Sequence, residues 1–150
     1  MNLTDFLRPE MIQLDVRAND KWEIIEKIIH LFSKSPSVAD LEDLRTSMIE
    51  REKTMTTGIG HGIAIPHAYG KCIHSIDIAS IILHNPVDFE SFDMKPVYIV
   101  FGIISPEDGE KKYMTLLSNI AKIFSHNARI EDFIDVKTPE DFINELCSHE

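Results

Sequence analysis

A chain of 150 residues, 43% hydrophobic and 27% charged, has the balance of one globular domain over residues 1–150, not of a disordered or fibrous protein. At this length about 70% of the unfolded surface can be buried, enough for a core without disulfides or metal. The net charge of −10 opposes non-specific attachment to nucleic acid or to an anionic membrane.

Met1 to Pro9 carries Asp5 and lacks a basic start followed by an apolar stretch, so it does not read as a secretory leader. Residues 12–16, Ile-Gln-Leu-Asp-Val, alternate like a half-buried strand. Asp20 with Glu23 three positions later marks a helix start. Trp22, Ile25, Ile28, Ile29 and Phe32 then recur at helical spacing, and the stretch Ser33 to Ser37, with Pro36, closes the element. A second helix is expected from Asp40 to about Arg51, burying Leu41, Leu44 and Met48. These two helices read as scaffold. The next stretch differs, because Gly58, Gly60 and Gly62 alternate and exclude a helix.

Ile76 to Leu83 and Val97 to Ile104 are β-rich, the second apolar enough for a central strand buried on both faces. Asn85-Pro86 is expected to break the chain between them. Ser105 to Gly109 marks a second break, with Glu107 to Glu110 as a solvated acidic turn. From about Lys111 to Ser125 a helix is expected with Met114, Leu117, Ala121 and Phe124 on one face. Ile130, Phe133 and Ile134 suggest a short further helix. Thr138-Pro-Glu-Asp141 is a strong helix start, followed by Phe142, Ile143 and Leu146. Helices at both ends around several strands imply a layered α/β domain. The longest apolar run, Val97 to Ile104, is far short of a membrane span, so no membrane insertion is expected. Cys72 and Cys147 form no CxxC pair, which reads as reduced thiols in a cytoplasmic protein.

Residues 51–71 carry Arg51, Lys53 and Lys71 against Glu52 alone, a balance of +2 that leaves −12 on the rest of the chain. That islet also holds most of the glycines. It suits a small anion, or it is chance. Alternating glycines let the backbone approach a ligand and turn its N–H groups inward towards phosphate oxygens, but they equally make a tight loop. Pro66 fixes its own φ and restricts Ile65 to extended geometry, so His67 is presented at a stiff position. A neutral imidazole there keeps a lone pair able to attack phosphorus, provided the other ring nitrogen has an acceptor to hold its tautomer. A histidine after proline is also an ordinary turn residue, and the residues alone leave both readings open. His61 lies within the glycine loop, either lining a site or on the surface. His30, His126 and His149 read as solvated. The spacing of His61, His67 and His74 matches no common metal-ligand motif, so neither metal nor cofactor is expected.

Arg51-Glu-Lys followed by Thr57-Gly-Ile-Gly-His-Gly-Ile-Ala-Ile-Pro-His67 resembles the active-site signature of the type-2 EIIA domains. These are the fructose–mannitol and nitrogen-regulatory phosphocarriers of the bacterial phosphoenolpyruvate:sugar phosphotransferase system. The resemblance spans the chain. It implies a three-layer α/β/α sandwich around a mixed β-sheet, with His67 as the phosphorylated residue and Arg51 contacting the phosphoryl group. On this reading Thr57, Gly58, Gly60 and Gly62 would surround the phosphate. A histidine-containing phosphocarrier protein would be the donor, and an EIIB domain or a regulated target protein the acceptor. One departure stands out: where the family carries a second active-site histidine, this chain reads Tyr113-Met-Thr-Leu-Leu117. Tyr113 can donate a hydrogen bond but cannot become cationic. In a shifted register it would be a half-exposed helix residue. A non-transferring, anion-binding regulatory module that keeps the fold is the alternative.

Overall fold

The computed structural model describes residues 2–150. Among the described residues six strands form one mixed sheet: β1 (Ile12–Val16), β2 (Gly58–Gly60), β3 (Ile63–Ala64), β4 (His67–Tyr69), β5 (Asp77–Val87) and β6 (Val97–Ser105). The order is β1-β5-β6-β3-β2, and β4 pairs with β6 beyond the end of β3. β5 and β6 run antiparallel, whereas β1 on β5, β3 on β6 and β4 on β6 are parallel. The α-helices α1 (Lys21–Phe32), α2 (Leu41–Thr54), α3 (Glu110–Lys122) and α4 (Pro139–Ser148) flank the sheet.

Two hydrophobic cores lie on opposite faces of the sheet, which makes the expected three-layer α/β/α arrangement. One joins Ile24, Ile25, Ile28, Ile29 and Phe32 of α1 with Leu44 and Met48 of α2 and with Val100 and Ile104. The other joins Tyr113, Leu116 and Ile120 of α3 with Phe142 and Leu146 of α4 and with Ile99, Phe101 and Ile103. From Ile99 to Ile104, β6 sends successive side chains to alternate faces, as the two-residue period of a strand requires. At Gly102 the sheet has no side chain, and α1 takes up the space. A Cβ there would stand 2.5 Å from Ile28 Cγ2.

The helix starts form as their residues predict. Asp20 accepts from the Glu23 amide at 2.9 Å, Asp40 from the Asp43 amide at 3.1 Å and Thr138 from the Asp141 amide at 3.1 Å. Each satisfies a donor that has no partner within its helix. Several faces differ from expectation. In α1, Ile25, Ile28, Ile29 and Phe32 are buried as expected, but Trp22 is 39% exposed and Lys21, paired with Glu52, is 5% exposed. In α3, Tyr113, Leu116 and Ile120 face the core and Met114 is 54% exposed. Two apolar stripes one residue apart run along that helix, and docking on the sheet selects the other one. Asn85-Pro86 does not end its strand. Instead β5 continues to Val87 through a register irregularity after Ile82, where a residue without an N–H is tolerated. The short helix expected from Ile130 forms as a 3₁₀ helix, Ile130–Phe133, but Ile134 lies outside it and is exposed. Cys72 is buried, Cys147 is exposed, and neither is in a disulfide.

Candidate functional site

The geometry around His67 follows from three short segments crossing near the end of α2. The Ile65 amide donates to the Thr57 carbonyl at 2.9 Å, and the Ile103 amide donates to the Pro66 carbonyl at 3.0 Å. Ile65-Pro66 is thus tied on both sides before the chain enters β4. His67 lies half-buried at the start of β4, opposite Ile103. Its Nδ1 is 2.7 Å from the Ile65 carbonyl oxygen. A carbonyl only accepts, so Nδ1 carries the ring proton and Nε2 keeps its lone pair. Burial lowers the His67 pKa below its ordinary value of 6.5. The Ile65 carbonyl and the Glu52 carboxylate oppose that shift, and the Arg51 guanidinium adds to it. At pH 7 the ring is therefore neutral and nucleophilic at Nε2.

Arg51, in the last turn of α2, folds back so that Nη1 donates to the Met55 carbonyl at 2.9 Å. Its charge reaches both His67 and Tyr113. Lys53 turns away to pair with Glu50 at 3.5 Å. Tyr113 is 3% exposed, and its ring packs edge-on against His67 (centroids 5.4 Å apart) and against Tyr69 (6.0 Å). Among the described residues nothing hydrogen-bonds the Tyr113 hydroxyl. Burial raises its pKa well above 10, so it remains a neutral donor.

The glycine segment divides. Thr57 lies next to the Ile65–His67 corner, but its N–H and Oγ1 both go to Glu52, at 2.8 and 2.5 Å. The Gly58 amide donates to Thr56 Oγ1 at 3.1 Å. Gly60 and Gly62 take positive φ, +98° and +80°, and make the turn between β2 and β3. The Gly62 carbonyl accepts from the Tyr98 and Ile99 amides, whereas His67 sits opposite Ile103. At about 3.3 Å per residue that is about 13 Å along β6. His61, exposed at φ +58° between them, donates its amide to Asp93 at 3.1 Å. The structure thus gathers His67, Arg51, Tyr113 and Thr57, and leaves Gly60, His61 and Gly62 shaping the hairpin turn.

Glu52 is the site residue that sequence reasoning passed over. It is 2% exposed, held by Thr57 and by an ion pair with Lys21 at 3.2 Å. A signal was present: Leu44, Met48 and Glu52 recur every four residues, so helical periodicity carries the buried stripe of α2 onto a carboxylate. The same spacing marks Lys21, which with Ile25 and Ile29 continues the buried stripe of α1. Among the described residues no group of three or more His, Cys, Asp or Glu side chains could hold a metal ion, and no helix is long and apolar enough to cross a membrane.

Residues 5–149 match the sequence model of a family described as phosphoenolpyruvate-dependent sugar phosphotransferase system, EIIA 2. The nitrogen regulatory protein of Pseudomonas aeruginosa is 31% identical over 121 residues, covering 81% of this chain and 79% of that protein. The fructose-specific EIIABC component of Bacillus subtilis is 25% identical over all 150 residues, but the chain spans only 24% of its length. Of solved structures, the nitrogen regulatory protein IIA-Ntr of Neisseria meningitidis superposes with a TM-score of 0.88 at 28% identity, covering 96% of this chain and 98% of that one. The mannitol IIA of Escherichia coli, solved in complex with phosphorylated IIB, shares the fold with a TM-score of 0.78 at 21% identity, over 95% of this chain and 97% of that one.

Proposed function

The chain belongs to the type-2 EIIA family of the phosphoenolpyruvate-dependent sugar phosphotransferase system, and from that premise we propose that His67 accepts a phosphoryl group from the phosphohistidine of a small carrier protein. The observation that carries this reading is the contact between Nδ1 and the Ile65 carbonyl. It leaves the Nε2 lone pair of a half-buried neutral ring available beside a guanidinium. In the transfer, the P–N bond of the donor breaks as the P–Nε2 bond forms. The proton stays on Nδ1, donated to the Ile65 carbonyl, and the donor ring leaves neutral. Phosphoryl transfer of this kind needs positioning and charge stabilisation more than acid–base help. Arg51 opposes the developing phosphoryl charge, Tyr113 offers its unpartnered hydroxyl to a phosphoryl oxygen, and Thr57 and Gly58 line the corner next to His67. The reaction requires no cofactor, and the protein acts in the cytoplasm.

The phosphoryl group then passes to an EIIB domain, or the phosphorylation state is read by a regulated target. Tyr113 favours the regulatory branch. A neutral phenol in place of a titratable imidazole supplies no mobile charge for onward transfer, and the 31% identity to a nitrogen regulatory protein points the same way. Incubation with phosphoenolpyruvate and the two general phosphotransferase proteins tests the reading. The expected product is an acid-labile, base-stable phosphate, lost in His67→Ala and retained in His61→Ala. Absence of label on the native protein, with donors active on another acceptor, would refute it and leave the non-transferring, anion-binding module.

A further inference from the structure

The buried carboxylate behind the site makes or breaks no bond in the transfer, yet it is among the most elaborately held groups in the molecule. Glu52 Oε2 receives Lys21 Nζ at 3.2 Å and the Thr57 amide at 2.8 Å, and Oε1 receives the Thr57 hydroxyl at 2.5 Å. Lys21 is itself fixed, with its ammonium over the Phe89 ring and paired a second time with Glu90 at 3.3 Å. The Thr57 carbonyl then accepts from the Ile65 amide at 2.9 Å, and the Ile65 carbonyl holds the Nδ1 proton of His67 at 2.7 Å. An unbroken run of hydrogen bonds therefore leads from an ion pair in the α1–α2 core to the ring that carries the chemistry.

We propose that Glu52 is a positioning residue for His67: by gripping both donors of Thr57 it fixes the Thr57–Ile65 bridge, and so holds the Ile65 carbonyl where it selects the Nδ1–H tautomer. Buried ion pairs seldom add net stability over apolar residues of similar size, because two charges lose their water. Their best-attested gain is a single defined geometry. Here the geometry being defined is the direction of one carbonyl. Glu52 has a second effect with the same sign. When Nε2 takes PO₃⁻ and Nδ1 keeps its proton, the ring acquires positive charge, and a carboxylate nearby favours it. Arg51 and Glu52, consecutive in sequence, thus divide the work: the first faces the phosphoryl oxygens and the second supports the ring from behind.

The inference rests on His67 being the acceptor, so the experiment separates the two. Nitrogen-15 NMR of the histidine side chains reads the tautomer without any phosphorylation. Native protein should show a single Nδ1–H form of His67. Glu52→Gln and Thr57→Val should each give a mixture of tautomers. In both variants the rate of labelling from the phosphorylated carrier should fall on the order of tenfold, since small misplacements of a reacting group cost up to about a hundredfold. KM for the carrier should be unchanged, because Glu52 is buried away from any docking partner. Thr57→Ser, which keeps the hydroxyl, should restore both readouts. If Glu52→Gln does not fold, Thr57→Val and Thr57→Ser carry the test. The inference is overturned if the variants keep the pure Nδ1–H form and the native rate while losing only thermal stability, or if Glu52→Gln shifts the tautomer and Thr57→Val does not. Failure of the native protein to label at all would remove the proposed function, while the tautomer measurement would stand.

Discussion

The Tyr113 hydroxyl makes an unusual prediction: deleting it should stabilise the unliganded protein. A buried hydroxyl loses its water on folding, and among the described residues nothing replaces that hydrogen bond. The penalty for such a group is about 1–3 kcal/mol. Tyr113→Phe keeps the ring packed against His67 and Tyr69 and removes only that penalty. At about 2–4 °C per kcal/mol for a domain of this size, the melting temperature should rise by about 2–12 °C. An ordinary hydrogen-bonded tyrosine gives the opposite sign, losing about 1 kcal/mol on the same change. Denaturant unfolding of the two proteins measures the difference directly. Phosphorylation should then narrow it, because the phosphoryl group supplies the missing acceptor in the native protein and cannot in the variant. A Tyr113→Phe protein that is less stable than native before phosphorylation would refute the reasoning.

The pH response of His67 and the hairpin beyond it can be tested separately. With its pKa held below 6.5, chiefly by burial, His67 should lose its rate of phosphorylation at a lower pH than a free imidazole with its ordinary value of 6.5 would. The unfolded ring takes up a proton before the folded one does, so the same group should lower stability as pH drops below 6.5. Comparing melting curves of native protein and His67→Gln between pH 5 and 7.5 isolates that slope. In the hairpin, Gly62→Ala should cost about 2–3 kcal/mol, because φ is +80° and the new Cβ would stand 2.5 Å from Ile130 Cγ1. Gly70→Ala, where a Cβ meets nothing within 4 Å, should change stability by less than about 1 kcal/mol. Chemical denaturation of the pair checks both, and equal losses would show that the strain at Gly62 is misjudged.

Local chemistry is what the residue order determined by itself. Caps at Asp20, Asp40 and Thr138 form because a side-chain oxygen within three residues needs no distant partner. The strand at Val97 to Ser105 was legible because only a central position tolerates such a run on both faces. Pro66 made the stiff placement of His67 legible, since a proline restricts its neighbour wherever it stands, and the resemblance of the signature around it singled that histidine out as the proposed acceptor. Tertiary packing decided the rest. It chose Tyr113 over Met114 as the inward residue of α3, a choice between two stripes that periodicity cannot make. It sent Gly60 and Gly62 to a hairpin turn, because strand register on β6, not sequence proximity, sets their distance from His67. And it supplied the Lys21–Glu52–Thr57 support behind the Ile65 carbonyl, since partners 31 residues apart meet only when two helices pack against one sheet.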